Sequence, residues 1–280
     1  VLTPPTTISS FTPLGDLNDL ARQSRSTLLS ELLRWQALPH SCLKPGTDRS
    51  VWRITTSTDI VTLKCRKETL LTRARSLLHR SPLHREIRGS ETLARAGVRT
   101  AVPLALYRGN GVQCLALRHV PGRTLLECMA DAALSPSQRR GIAVAVAAQL
   151  AHMGREGLCN RDHKPSNIII DEHVNGEPLV TVIDPAGVFQ SPIPGWGLPQ
   201  MLASLVIEPT GCGITLQRRD TVRVLHEVMR GANAARDPER LSGFGHWTEV
   251  RDLLGAARDI VASHRNPVPT DNPLAPATRG

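Results

Sequence analysis

Aromatic residues are scarce in this chain, with three phenylalanines, four tryptophans and one tyrosine among 280 residues. The core must therefore be aliphatic, built from Leu, Val, Ala and Ile. A basic groove interleaved with stacking rings is missing, so nucleic acid is not an expected partner. Long apolar runs are missing too. The most apolar stretch, residues 141–150, is too short to cross a bilayer, and the N-terminus shows no basic segment followed by an apolar core, so no secretion signal is expected. Six cysteines stand at 42, 65, 114, 128, 159 and 212, and no two form a Cys-x-x-Cys pair, so a zinc site is not indicated. Scattered single thiols suit a reducing compartment, and a cytoplasmic location is expected. Cys159 reads as a small buried residue rather than a redox switch. Lysine is the last shortage: Lys44, Lys64, Lys67 and Lys164 stand against thirty arginines.

What the chain does have is a polar loop of unusual content. Residues 160–171 read Asn-Arg-Asp-His-Lys-Pro-Ser-Asn-Ile-Ile-Ile-Asp. A carboxylate (Asp162), an ammonium (Lys164) and an amide (Asn167) share this short segment. Two β-runs follow, at 168–170 and 180–183, and the second leads to another carboxylate, Asp184. Phosphoryl transfer to a hydroxyl needs such a set: one carboxylate to orient the nucleophile, and a carboxylate with an amide oxygen to hold Mg²⁺. Arg161, Asp162, Lys164, Pro165 and Asn167 match the catalytic loop of protein kinases in identity and spacing. The competing reading is a polar surface loop before a hairpin, with Asp162 and Asn167 as turn residues.

Two of the four lysines stand where a compact point charge is useful. Lys64 ends the alternating run Ile60-Val61-Thr62-Leu63-Lys64, which predicts a strand with Val61 and Leu63 inward. A lysine so placed pairs the α- and β-phosphates of ATP and is held by a glutamate of the following helix. Residues 83–96 have helical character, with Leu83, Ile87 and one of Thr92 or Leu93 facing inward and Gly97 as the stop. Glu86 is the expected partner of Lys64, and Glu91, on another side of the helix, is the competitor. A phosphate-covering loop is expected around Gly46 and Arg49, with the backbone amides of residues 47–50 approaching phosphate. It carries one glycine in place of Gly-x-Gly-x-x-Gly, and a plain hairpin turn is the alternative.

The mass of 30.5 kDa and the 40% of hydrophobic residues suit one two-lobed catalytic domain with short additions. A formal charge of +9 and a pI near 9.9 point to an acidic partner such as a nucleotide, anionic lipid or phosphorylated glycan, with an arginine-rich genome composition as the bland alternative. Residues 1–40 read as an N-terminal extension: 1–13 are rich in Thr, Pro and Ser and expected to be loose. Residues 14–38 form an amphipathic helix with Leu17, Leu20, Leu28, Leu29, Leu32, Leu33 and Trp35 as its apolar positions. Packing on the domain is its default role, and a partner or a membrane surface are the other options. Residues 41–118 make a small β-rich lobe, closing with a buried strand at 114–117 after the turn Gly109-Asn110-Gly111. Residues 119–264 make a mainly helical lobe. It opens with a hinge at 119–122 whose backbone binds adenine, then a helix from Thr124-Leu125 and a long apolar helix from Ser135-Pro136 to 157. Further helices are expected near 198–207, 217–230 and 246–263. Residues 265–280 are expected to be a disordered tail. The fold class is α+β, in a bilobed arrangement.

The chain resembles the lipopolysaccharide core kinases, bacterial enzymes of the protein-kinase-like superfamily that phosphorylate heptose or Kdo sugars near lipid A. The resemblance is carried by residues 46–53 (Gly-Thr-Asp-Arg-Ser-Val-Trp-Arg), by Arg85-Glu86 leading to Ala96-Gly97-Val98, by Val102-Pro103-Leu104-Ala105, by the catalytic loop and by residues 198–204. It implies a bilobed kinase fold, ATP with Mg²⁺, and transfer of the γ-phosphoryl group to a sugar hydroxyl on a glycolipid, at a peripheral place on the inner face of the inner membrane. It further implies that Asp162 acts as base, Lys164 steadies the γ-phosphate, Asn167 and Asp184 hold metal, and Lys64 with Glu86 clamps phosphate. Departures are plain: Asn160 replaces the usual His, Asp184-Pro185-Ala186 replaces Asp-Phe-Gly with Gly187 one place later, and no Ala-Pro-Glu segment follows. Those absences favour a sugar or lipid-linked acceptor over a regulated protein kinase. An unregulated Ser/Thr protein kinase and a pseudokinase scaffold are the alternatives, and the acceptor hydroxyl and oligomeric state are left open.

Overall fold

Alternating apolar and polar positions shape one part of the chain and helical periodicity the other, and the computed structural model divides accordingly. It describes residues 1–14, 22–171, 177–234 and 250–264. The first of two units comprises Val1–Ser90 with Ala101–Val120, the second Glu91–Thr100 with Pro121–Gly280.

The first unit contains β1 (Ser10–Pro13), α1 (Arg22–Leu33), β2 (His40–Lys44), β3 (Arg49–Thr55), β4 (Ile60–Lys67), α2 (Leu70–Leu77), most of α3 (Pro82–Arg95), β5 (Pro103–Gly109) and β6 (Val112–Arg118). Six strands form one antiparallel sheet in the order β1-β5-β6-β4-β3-β2. Its inner face is set by the pleat: Ser50, Trp52 and Ile54 on β3, and Val61, Leu63 and Cys65 on β4, are buried. The β5–β6 hairpin turns through Asn110 and Gly111, both at positive φ (50° and 71°), the two-residue geometry that matches strand twist. Cys65 and Cys114 face each other across β4 and β6 as free buried thiols, Sγ to Sγ 2.9 Å.

Residues 1–13 are tied down, not loose. β1 pairs along the edge of the sheet with β5, an edge being where a strand containing proline fits. The carbonyl of Leu2 accepts from Ser50 Oγ (2.7 Å) and Trp52 Nε1 (3.1 Å), and that of Pro4 accepts from Trp35 Nε1 (3.1 Å). Two indole N–H groups in an apolar core need acceptors, and the N-terminal segment supplies them. Helix α1 spends its apolar residues on this same core, burying Leu32 fully with Leu28 packed beside it. It ends before a 3₁₀ turn at Trp35–Ala37, and the expected start of that helix, with Leu17 and Leu20, lies outside the described residues. Residues 1–40 therefore belong to the first unit rather than forming an extension, while residues 91–100 belong to the second. Lys64 lies inside β4, which continues to Lys67, and α2 was not anticipated.

The second unit contains β7 (Arg123–Thr124), α4 (Leu125–Ala130), α5 (Pro136–Arg155), β8 (Leu158–Asn160), β9 (Ile168–Asp171), β10 (Leu179–Val182), β11 (Val188–Gln190), α6 (Leu198–Gly211), α7 (Arg218–Ala234) and α8 (Val250–Ser263). Capping boxes start two of its helices, Thr124 with Glu127 and Ser135 with Gln138, the latter followed by Pro136 at the first helical position. Ile142, Val146, Leu150 and Met153 of α5 enter one aliphatic core with Leu198, Met201, Leu225 and Leu253 from the later helices. Beneath the polar loop lie two small antiparallel pairings, β10-β9-β7 and β11-β8. Residues 265–280, and 172–176 in the β9–β10 turn, lie outside the described residues.

Trp35 is 3% exposed, packs at a tilt against Trp52 with 5.2 Å between ring centroids, and is hydrogen-bonded to the N-terminal segment. Trp35→Ala is expected to lower the free energy of unfolding by about 3–5 kcal/mol in urea titration. A loss under about 1 kcal/mol would mean that residues 1–5 and this indole do not share a core.

Candidate functional site

The predicted residues gather into two sets, one in each unit. In the first, Lys64 Nζ lies 2.5 Å from Glu86 Oε1 on α3, with the two side chains 18% and 4% exposed. Lys64 can reach Glu86 because strand alternation turns it away from Val61, Leu63 and Cys65, onto the sheet face opposite their core. Leu83, Ile87 and Leu93 seat the helix, all of them buried, and Gly97 at φ 74° ends it. Glu91, the competing partner, is exposed.

Arg49 begins β3 two residues before Val51, which pairs in register with Lys64, so Arg49 shares the sheet face of Lys64. Gly46 sits in the preceding turn. A Cβ there would come 2.2 Å from the Arg49 carbonyl oxygen, so the turn closes only on glycine. The Gly46 carbonyl is occupied by the Leu2 N–H at 2.7 Å. At the hinge, the His119 N–H donates to the Ile60 carbonyl at 2.8 Å and is not available to a base.

In the second unit, the loop after β8 holds its members by side-chain bonds. Asn167 Nδ2 donates to the Asp162 carbonyl and to Asp162 Oδ2, both at 3.0 Å. Lys164 Nζ lies 3.4 Å from Asp162 Oδ1, and these two side chains are 39% and 49% exposed. Asn160, in the place of the usual histidine, accepts the Asp162 N–H on Oδ1 at 3.2 Å. Asp184 joins the group through the backbone: the Ile183 N–H donates to the Asn167 carbonyl at 2.8 Å, so the residue after Ile183 stands beside the loop. Asp184 adopts φ 55°, ψ 54°, a left-handed conformation uncommon for a residue with a Cβ and often found at functional sites. Among these groups, the Asp184 carboxylate and Asn167 Oδ1 are hard oxygen donors, and with Asn167 Nδ2 committed to Asp162 the oxygen is the end left for a cation. That donor set fits Mg²⁺, which takes one or two protein ligands and completes its shell with phosphate and water.

Three contributors were not anticipated. Gly187 packs against the loop so closely that a Cβ would lie 3.0 Å from Asn160 Oδ1 and 3.2 Å from the Asp162 nitrogen. Glu208, 8% exposed, accepts from the Ser166 nitrogen (2.8 Å) and Ser166 Oγ (2.6 Å), anchoring the residue before Asn167 to α6. The signal was present, since Glu208 is the one charged residue in Leu198–Gly211. His163 is fully buried between Asp162 and Lys164, and neither ring nitrogen has a partner among the described residues. Burial lowers its pKa to about 4, so the ring is neutral at pH 7. Cys159 beneath the loop is buried too, and desolvation raises its thiol to about 11, which makes it a packing residue.

The His163 ring titrates near 6.5 when exposed and near 4 when folded. The unfolded chain therefore binds a proton first, and the stability from keeping the ring neutral is complete above pH 6.5 and drains away as pH falls towards 4. Between pH 7 and pH 5 the wild type is expected to lose about 2 kcal/mol more than His163→Leu in urea titration. Parallel losses in the two proteins would place that titration elsewhere.

No family model matches the chain, and no curated protein matches it. Solved structures do. WaaP in complex with acyl carrier protein is 18% identical, covers 90% of this chain and 98% of its own, and superposes with a TM-score of 0.53. The Mycobacterium tuberculosis PknI kinase domain is 17% identical over 92% of this chain and 99% of its own, with a TM-score of 0.45. Taken with the sheet-bearing first unit and the helical second one, the WaaP likeness establishes the architecture. The chain has the bilobed protein-kinase-like fold, a small β-rich lobe followed by a mainly helical one.

Proposed function

We propose that this protein is an ATP-dependent kinase that transfers the γ-phosphoryl group to a hydroxyl of a lipopolysaccharide core sugar. The observation that carries the phosphotransferase reading is the cluster in the second unit, where Asn167 bonds the Asp162 carboxylate and, through the Ile183 N–H, brings Asp184 alongside. In the proposed reaction Asp162, with one oxygen steadied by Asn167, orients the acceptor hydroxyl in line with the γ-phosphorus and takes its proton. Lys164, 3.4 Å from Asp162 Oδ1, balances charge on the γ-phosphate. Lys64, aligned by Glu86, serves the α- and β-phosphates, with Gly46 and Arg49 contributing the loop over them. Asp184 and Asn167 would hold Mg²⁺, which would supply positive charge against the phosphates. Little covalent chemistry falls to the protein, so positioning and electrostatics account for the rate.

Support for a sugar acceptor comes from the segments that resemble lipopolysaccharide core kinases and from the buried Pro185 where regulated protein kinases carry the phenylalanine of their switch. The +9 charge suits an acceptor dressed with phosphates. No helix of the described residues is long and apolar enough to cross a membrane, and the proposed setting is the cytoplasmic face of the inner membrane, with peripheral contact to anionic lipid. A second reading, an unregulated Ser/Thr protein kinase, is favoured by the match at Arg161, Asp162, Lys164, Pro165 and Asn167.

Incubation with labelled ATP and Mg²⁺ against purified lipopolysaccharide cores and generic protein acceptors separates the two. Transfer to a core sugar is expected, with Asp162→Asn and Asp184→Asn each lowering kcat by about a thousandfold or more. Transfer confined to protein would select the second reading, and undiminished transfer by Asp162→Asn would remove the mechanism.

A further inference from the structure

Helix α2 is inside out. It joins β4, which carries Lys64, to α3, which carries Glu86. Leu70, Leu71 and Leu78 at and beside it are 87%, 60% and 66% exposed, and Ala74 is exposed with them. At 3.6 residues per turn these four positions fall within an arc of about 100°. The opposite side is polar and faces the protein: Ser76 is 3% exposed and its Oγ reaches Gln113 Oε1 on β6 at 3.4 Å, as does Ser81 Oγ. The helix is nevertheless built to persist, with a reciprocal Thr69–Thr72 capping box. A surface helix ordinarily does the reverse, and leucines exposed together on one face mark a contact.

Charge identifies what that contact is with. Arg73 and Arg75 are exposed at the two edges of the leucine arc, and Arg66, Lys67 and Arg80 flank the helix. The one acidic residue in this stretch, Glu68, lies 3.5 Å from Arg108. Leucines in an arc with arginines along both margins describe a helix that lies in the plane of a bilayer, apolar side in the acyl boundary and guanidinium groups at the phosphates. Helix α1, the other amphipathic candidate, uses Leu28 and Leu32 on the core of the first unit.

We infer that α2 is the membrane-seated element of this protein and that its ligand is the surface of an anionic phospholipid bilayer. The inference rests in part on the reading of a lipid-linked acceptor, which places that surface within reach. Each segment next to α2 carries one member of the Lys64–Glu86 pair, so docking would present this unit to lipid at a fixed orientation.

Flotation with phosphatidylcholine vesicles, with and without phosphatidylglycerol and in the absence of ATP, tests it. The wild type is expected to partition onto anionic vesicles about tenfold or more over neutral ones at low salt. Leu70→Ser/Leu71→Ser/Leu78→Ser should lower that partition about tenfold or more with an unchanged melting temperature, since the replaced side chains are exposed. Arg73→Gln/Arg75→Gln should weaken it and flatten its salt dependence. In both variants phosphate transfer to a delipidated soluble core should be unchanged, while transfer to the same core embedded in vesicles falls. Equal flotation of wild type and leucine variant, or no flotation of the wild type, would overturn the inference. So would a lipid-free wild-type dimer that the leucine variant converts to monomers, which would assign the face to a second copy of this chain. Leucine-dependent flotation without transfer to any glycolipid would leave this inference standing and remove the acceptor proposed above.

Discussion

The polar cluster of the second unit hangs on one turn. At Asp184 the backbone enters a left-handed conformation that disfavours a side chain by about 1 kcal/mol or more. Such a conformation lasts only where its surroundings leave no alternative, and here four constraints meet. The Ile183 N–H is bonded to the Asn167 carbonyl, Pro185 is buried, the Gly187 carbonyl accepts the Arg161 N–H at 3.2 Å, and β11 pairs at once with β8. Gly187 admits the close approach because it has no Cβ to strike Asn160. A phenylalanine following the aspartate, as in regulated kinases, is free to swing; a buried proline with fixed φ is not. The backbone that carries the Asp184 carboxylate is thus held in place, and the reorganisation that a flexible loop would need is avoided.

A second constraint is electrostatic and belongs to the first unit. Lys64 and Glu86 are largely removed from water, and the desolvation of such a pair roughly offsets its attraction, so it is poor evidence of a stabilising device. Its value is directional. Fixing an ammonium at one place on the outer sheet face, in a chain that writes nearly all other cations as arginine, gives a compact charge that bonds as a point rather than as a fork. The same geometry explains why α3 is apolar only at Leu83, Ile87 and Leu93 on the side where Glu86 also lies.

How far these features could be read in advance followed their physical origin. Period-two alternation in β4 and the Asn110-Gly111 turn are local, and they were legible. So were the capped start of α5 and the spacing of Asp162, Asn167 and Asp184. Residues 1–13 were misread because composition reports propensity, while their order comes from acceptors supplied to Trp35 and Trp52 far along the chain. Glu208 and Gly187 escaped for a similar reason: each acts by packing or bonding across sequence distance, and neither belongs to a local pattern. The membership of residues 1–40 in the first unit, set by a sheet edge and a buried indole, was likewise beyond local signals.

Helix α2 shows the limit of periodicity itself. An amphipathic pattern states that one side of a helix is apolar, and only the protein's own core decides whether that side turns in or out. Here the strand beneath presents Gln113, a buried amide that needs polar neighbours, and the Ser76 and Ser81 hydroxyls donate to its Oε1, each at 3.4 Å. With its polar side fixed by that demand, α2 has one orientation left for Leu70, Leu71 and Leu78. The outward leucines are then the counterpart of pairing a buried amide oxygen, and the bilayer inferred above would suit both sides of the helix. Under the proposed membrane-bound acceptor, a surface-held unit would meet that acceptor at a high effective concentration even where its direct contacts with the sugar were weak.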